Sequence, residues 1–416
     1  MNFKDLSYVT QLKILLLEHG VTFNDLNMFN RIDDIEEYKT KNADIKLRLD
    51  NFQVFDISKQ IYKIPAEVLI SDNRCSSLTK LRYNPNSPIQ ILGINDKNLH
   101  LLLNGQELNE LNVSLVKENK LLQQEIPNSS KNRKIKDFVD IVGLNRVAAL
   151  PYDGCYNWNN GQNCKFCDLH PRREDEDLAI PSINALNKYG MNVEYWWNSQ
   201  KGEFLKSLGY SLETVFNKSE QEKMYLYFMA GNCQTNTQTW DIIEETISSL
   251  QPKIDISKQN NYLNIAPHDN VERLKRAKNL GIKQVQYNLE VVGADRFKDT
   301  CPGKMPYEVF EKKLFEAVDT FGHGNVRSNF VFGLTPDDEL LSYAEYCAQN
   351  GVVMDYSIFQ PKKNTQYVDK PAPSFARVCD FSYELAKIYK RHDLKPIFDR
   401  HSSRSSIINE IYDEVK

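Results

Sequence analysis

Between residues 144 and 361, short apolar runs recur, most of them followed by an amphipathic helical segment, and this alternation sets the tightest limit on the fold. The runs are LNRVAAL (144–150), MYLYFMA (224–230), YLNIAP (262–267), VQYNLEV (285–291), VRSNFVFGL (326–334) and MDYSIFQP (354–361). Between them lie helical patterns such as WDIIEETISSL, NVERLKRAKNLG, YEVFEKKLFEAVDTFG and DDELLSYAEYCAQNG. Near-continuous apolar strands separated by helices are the pattern of βα units on a parallel sheet, because a parallel connection requires a crossover helix. Six such units make either an open doubly wound sheet or a partial barrel. Both carry their chemistry on loops at the C-terminal ends of the strands.

The preceding residues follow a different rule. Residues 2–50 predict short, charge-rich helices. QVFDI, AEVLI, PIQILGI and LHLLL, within 52–103, predict strands broken by turn residues. The polar stretch around Pro127–Ser130 reads as a linker. At 416 residues, the chain has room for two or three domains. Its formal charge of −4 offers no basic field for nucleic acid. The apolar run Ile14–Leu17 is too short for a signal segment or a membrane span, so a cytoplasmic location without membrane partners is expected.

Eight cysteines in such a chain do not suggest a disulfide framework. Five are scattered (Cys75, Cys233, Cys301, Cys347, Cys379). Cys155, Cys164 and Cys167 instead form C-x8-C-x2-C in PYDGCYNWNNGQNCKFCDLHP, directly after the first predicted strand. Thiolates on a Gly- and Asn-rich loop suit an iron–sulfur cluster, and three of them leave one iron open to a substrate. Zinc is the alternative, with His170 as a fourth ligand, although a structural zinc site usually draws on two closely spaced ligand couples.

With its cysteines on the loop after strand one of a six-unit array, the chain resembles the radical S-adenosylmethionine (radical SAM) superfamily over roughly residues 144–362. The usual spacing there is C-x3-C-x2-C, so the eight-residue gap marks a divergent member. Phe166, before the last cysteine, matches an aromatic placed near the adenine. Gly231-Asn232 stands where the family has Gly-Gly-Glu for the methionine amino group, without the glutamate. QYNLEV resembles the Asn-Leu-Glu stretch of lipoyl and biotin synthase relatives and implies that Asn288 and Glu290 contact S-adenosylmethionine. The fifth and sixth strands add Arg327 or Asn329, and Gln360.

The resemblance implies an α/β fold: a partial (β/α)6 TIM-like barrel over 141–362, an added N-terminal α+β domain over 1–135 and a C-terminal helical extension over 363–416. It also implies a [4Fe-4S] cluster, S-adenosylmethionine and an external one-electron donor of flavodoxin or ferredoxin type. The expected activity is reductive cleavage to a 5′-deoxyadenosyl radical that abstracts hydrogen from a small-molecule or peptide substrate. Rearrangement, epimerisation, dehydrogenation or a C–C bond step would follow. Sulfur insertion, as in lipoyl or biotin synthases, is an alternative, but its second cluster needs more N-terminal cysteines than the lone Cys75. The Arg-Ser-Ser at 404–406 resembles a lipoyl synthase motif and equally suits a helix N-cap. A zinc-binding or electron-transfer protein without S-adenosylmethionine chemistry is the remaining alternative. Asn288 and Glu290 share a strand face that solvent could also line. Arg327 could be an ordinary salt-bridge partner. Cys233, Cys301 and His268 sit at the active end, where small hydrophobic roles and a satisfied histidine compete with ligand or acid–base roles.

Overall fold

The computed structural model describes residues 5–23, 40–43, 62–84, 86–95, 98–168, 179–183, 186, 190–219, 223–362 and 365–415. The QVFDI strand and His170 lie outside these residues, as do most of the helices expected before residue 50. The chain divides into two compact units. One comprises 1–118, 332–337 and 357–416; the other comprises 119–331 and 338–356.

The first unit opens with helix α1 (Tyr8–His19), started by Ser7, whose side chain accepts from the Thr10 N–H. Its strands are β1 (Thr22–Phe23), β2 (Thr40–Ala43), β3 (Tyr62–Pro65), β4 (Glu67–Ser71), β5 (Ser76–Lys80), β6 (Ile89–Asn95), β7 (Asn98–Leu103), β8 (Gln106–Glu107) and β9 (Asn112–Leu115). They form a sheet in the order β1-β6-β7-β9-β4-β5, with β8 on β7, while β2 and β3 pair separately. The helical expectation for residues 2–50 fails at Thr40–Ala43, because antiparallel backbone pairing with Tyr62–Pro65 makes it a strand. AEVLI, PIQILGI and LHLLL supply β4, β6 and β7, and their inward residues Val68, Ile70, Ile89, Ile91, Leu99 and Leu101 are buried with Val9, Leu12 and Leu16. Each such side chain contributes about 1.5–3 kcal/mol by leaving water.

The second unit is built on β10 (Val139–Val142), β11 (Arg146–Ala149), β12 (Tyr225–Met229), β13 (Asn260–Asn264), β14 (Gln284–Gln286), β15 (Val326–Phe332) and β16 (Val352–Ile358). Among the described residues these pair in sequence order. β11 to β15 are parallel, and β10 adds an antiparallel edge. The intervening helices are α2 (Tyr156–Asn159), α3 (Val193–Lys218), α4 (Asn236–Leu250), α5 (Glu272–Asn279), α6 (Ala294–Thr300), α7 (Tyr307–Phe321) and α8 (Asp337–Gln349). α9 (Phe375–Arg391) and α10 (Ile408–Glu414) follow β16. This is a partial, TIM-like (β/α)6 barrel, and the helical C-terminal region that follows it in the chain belongs to the first unit. Pro127–Ser130 lies in a turn closed by the Ile126 N–H on the Arg133 carbonyl, 2.8 Å.

The strand register explains both faces of the sheet. Ala149, Phe228, Leu263, Val285 and Val326 are lateral neighbours in one row, all fully buried. The next row, Met229–Asn264–Gln286–Arg327, alternates onto the opposite face and is largely polar. Apolar packing against the covering helices accounts for the first row, and the second is the barrel's inner face. VQYNLEV forms a shorter strand than its pattern predicts. The regular ladder ends at Gln286, the Leu289 N–H turns to the Ser328 hydroxyl at 3.0 Å, and Glu290 takes a left-handed φ of +70°. Pairing resumes there through the Glu290 N–H to the Asn329 carbonyl, 3.0 Å, and the Val331 N–H to the Glu290 carbonyl, 2.8 Å.

Candidate metal centre

The cysteine loop leaves the C-terminal end of β11, and its neighbours hold it on two sides. After β12, the Asn232 N–H points at Cys155 Sγ (3.4 Å) and the Asn232 carbonyl accepts from the Tyr156 N–H (2.7 Å). The Tyr152 hydroxyl donates to the Gly231 carbonyl at 2.5 Å. A Cβ on residue 231 would lie 2.2 Å from the Gly154 carbonyl oxygen, so this close approach requires glycine. On the other side, the Lys165 N–H donates to the Thr300 carbonyl (2.9 Å), Lys165 pairs with Asp299, and Asn157 donates to the Gly303 carbonyl (3.3 Å).

The three thiols are half-buried. The Cys167 N–H donates to the Cys164 carbonyl (2.9 Å), so the C-x2-C pair shares one tight turn. Burial holds the Cys155 thiol above its ordinary value, against the lowering effect of the Asn232 N–H. Cys164 is shifted the other way: hydrogen bonding from the Cys301 thiol lowers it despite burial, with Lys304 assisting. Cys301 is correspondingly pushed up.

Lys304 is a residue of the candidate site that sequence reading missed. Its ammonium donates to the Asn288 carbonyl at 2.6 Å and to Glu290 Oε1 at 2.9 Å. Burial works against its charge, but Glu290 and the two cysteines outweigh it and hold Lys304 above the ordinary lysine range. A lone lysine after Pro302-Gly303 gave no motif; only the fold brings it to a glutamate fourteen residues earlier.

The other predicted residues separate into groups. Asn288 is joined to Gln286 by side chains at 2.8 Å, which places it beside the polar inner row. Arg327 belongs to that row, is 3% exposed and donates through Nε to Gln284 at 3.2 Å. Asn329, two residues further along β15, is half-buried. Phe166 lies within the cysteine turn and is likewise half-buried. Gln360 lines a cavity within the first unit. His268 has both ring nitrogens hydrogen-bonded locally, to the Thr237 hydroxyl at 3.0 Å and the Asn270 N–H at 2.9 Å. Cys233 is buried against Tyr152 and Thr239, and burial pushes its thiol up to about 11. Ser406 does not cap α10: the cap position is Ile407, without a side-chain hydrogen bond.

Among the described residues, no three histidine, cysteine or carboxylate side chains converge closely enough to enclose a metal. The fit to an iron–sulfur cluster rests on donor chemistry: three half-buried thiols on one short loop, with an N–H aimed at one sulfur and a lysine beside another. A partial barrel with three cysteines on the loop after its first parallel strand is the arrangement that the sequence resemblance to the radical SAM superfamily implies.

Comparison with known proteins gives one curated relative of note, the bacteriochlorophyllide c C-7(1)-hydroxylase of Chlorobaculum limnaeum. It is 22% identical over 261 residues, which are 61% of this chain and 62% of the relative. The chain thus spans about three fifths of that relative's length. No family model matches. Among solved structures, HydG, a maturase of the [FeFe]-hydrogenase, aligns at a TM-score of 0.40 and 16% identity, covering 62% of this chain and 51% of its own. Coproporphyrinogen III oxidase (HemN) from Escherichia coli, described as a radical SAM enzyme, aligns at 0.37 and 10% identity, with coverages of 60% and 53%.

Proposed function

We propose that this chain is a radical SAM enzyme, with Cys155, Cys164 and Cys167 holding a [4Fe-4S] cluster and S-adenosylmethionine lying across the C-terminal strand ends. The observation that carries the reading is the double attachment of the cysteine loop to the ends of β12 and α6, which joins the thiols to the polar end of the barrel. Cys155, Cys164 and Cys167 would hold the cluster there, and cluster and S-adenosylmethionine when bound would supply one-electron chemistry for hydrogen abstraction from an unactivated carbon.

The chain's own residues bind, orient and exclude. The loop's hydrogen bonds fix the thiols before ligation, and the Asn232 N–H stabilises negative charge on the Cys155 sulfur. Lys304 supplies positive charge beside Cys164 and holds the Glu290 carboxylate in one position. Asn288, Glu290, Arg327 and Asn329 are the side chains assigned to S-adenosylmethionine, with the Gly231-Asn232 backbone replacing the missing glutamate and Phe166 beside the adenine. The apolar row behind the inner face keeps the site's rear wall dry. A flavodoxin- or ferredoxin-like protein is the proposed electron donor, and a small molecule or peptide the proposed substrate.

Anaerobic reconstitution with iron and sulfide tests this reading. The wild-type chain is expected to turn brown and take up iron and sulfide equally. Cys155→Ala, Cys164→Ala and Cys167→Ala should each lose the colour, whereas Cys233→Ala should retain it. A colourless protein holding one zinc contradicts the reading.

A further inference from the structure

The first unit contains a cavity of about 590 Å³, within the range that holds a small organic ligand. Its walls come from both ends of the chain: Ile14 and Leu17 of α1, Ile358 at the end of β16, and Phe375 and Val378 of α9. Asp369–Pro373, with two of its prolines, forms the rim.

The polar groups around it divide into two kinds. Asn84 is committed to the frame, donating to the His19 carbonyl (2.7 Å) and accepting from the Asn86 N–H (2.9 Å). Glu18 accepts from the Phe375 N–H at 3.4 Å, and Arg82 donates to the Glu18 carbonyl at 2.7 Å. The charges offset one another, Glu18 against Arg82 and Asp369 against Lys370 on the rim. The site therefore has no net charge with which to repay the dehydration of an ion. Gln360 differs: it lines the cavity, is half-buried, and its side-chain amide has no hydrogen bond to any described residue.

We propose that this cavity is a binding site for an uncharged, mainly apolar small molecule bearing one hydrogen-bonding group, which Gln360 reads. The molecule's apolar body packs between α1 and α9, and its polar group meets the Gln360 amide, which can donate or accept. The site requires no cluster and stands whether or not the radical SAM reading holds.

Fluorescence titration of the metal-free full chain with N-phenyl-1-naphthylamine, a neutral apolar fluorophore with one N–H, tests the proposal. One saturable site per chain is expected. Gln360→Leu keeps the volume and removes the hydrogen bond, so affinity should fall about fivefold. Ala372→Trp, on the exposed rim, fills the entrance and should weaken binding about tenfold or more. Tyr195→Ser, on an exposed face of α3, should bind as wild type. Circular dichroism establishes that each variant is folded. Absence of saturable binding overturns the proposal, as does unchanged affinity in both folded cavity variants.

Discussion

Gly231 is the residue whose role the geometry defines most sharply. A methyl group there would collide with the Gly154 carbonyl and the Cβ of Cys155, at 2.2 and 2.8 Å. Gly231→Ala should cost about 1–3 kcal/mol and lower iron uptake on reconstitution, because the cysteine loop must move; iron retained at the wild-type level would contradict this. Cys155 and Cys164 make a second test, since their thiols are shifted in opposite directions. The lowered Cys164 becomes thiolate at lower pH than the raised Cys155. In the metal-free protein, iodoacetamide should therefore label Cys164 first as pH rises, read by peptide mass spectrometry. The Glu290–Lys304 pair is 11% and 14% exposed, so removing either charge strands the other. Glu290→Gln should lower unfolding free energy by about 3 kcal/mol, measured by denaturant titration near neutral pH.

At the scale of elements, the first unit ties its N-terminal helix to its last one through a buried ion pair. Lys13 on α1 meets Glu410 on α10 at 2.7 Å, and the Ser77 hydroxyl of β5 donates to the same carboxylate at 2.7 Å. Burial lowers the Lys13 pKa even though Glu410 opposes the shift. Lys13→Ala should destabilise by about 3–5 kcal/mol, and the double change Lys13→Met with Glu410→Leu should recover most of that loss in thermal melts. The elements also show what a sequence pattern can carry. The strands from β11 to β16 were legible because strands buried on both faces are written as unbroken apolar runs. β10 was not: VDIV is four residues long and reaches β11 through a tight turn at Gly143, whose φ is +70°. β14 was overestimated because its apolar run continues to Val291, while the regular ladder ends at Gln286 and the Leu289 N–H turns to the Ser328 hydroxyl.

Across the whole molecule, legibility followed sequence distance. The cysteine triad lies within one loop, so its spacing alone marked a candidate ligand set, with zinc left as the alternative to a cluster. Lys304 and the Cys164–Cys301 contact depend on the turn after α6 returning to the cysteine loop, which no local pattern records. Gln360 was legible as a strand-end residue, but its cavity is lined by residues from opposite ends of the chain. Among the described residues, no helix is long and apolar enough to cross a membrane.

Everything proposed for the cysteine loop turns on whether the three thiols and the barrel above them cleave S-adenosylmethionine. The most direct test is chromatographic detection of 5′-deoxyadenosine after the reconstituted chain is incubated anaerobically with S-adenosylmethionine and dithionite. The wild type should release 5′-deoxyadenosine and methionine in equal amounts, and Cys164→Ala should release neither. A brown, cluster-loaded wild type that leaves S-adenosylmethionine intact would contradict the proposed chemistry.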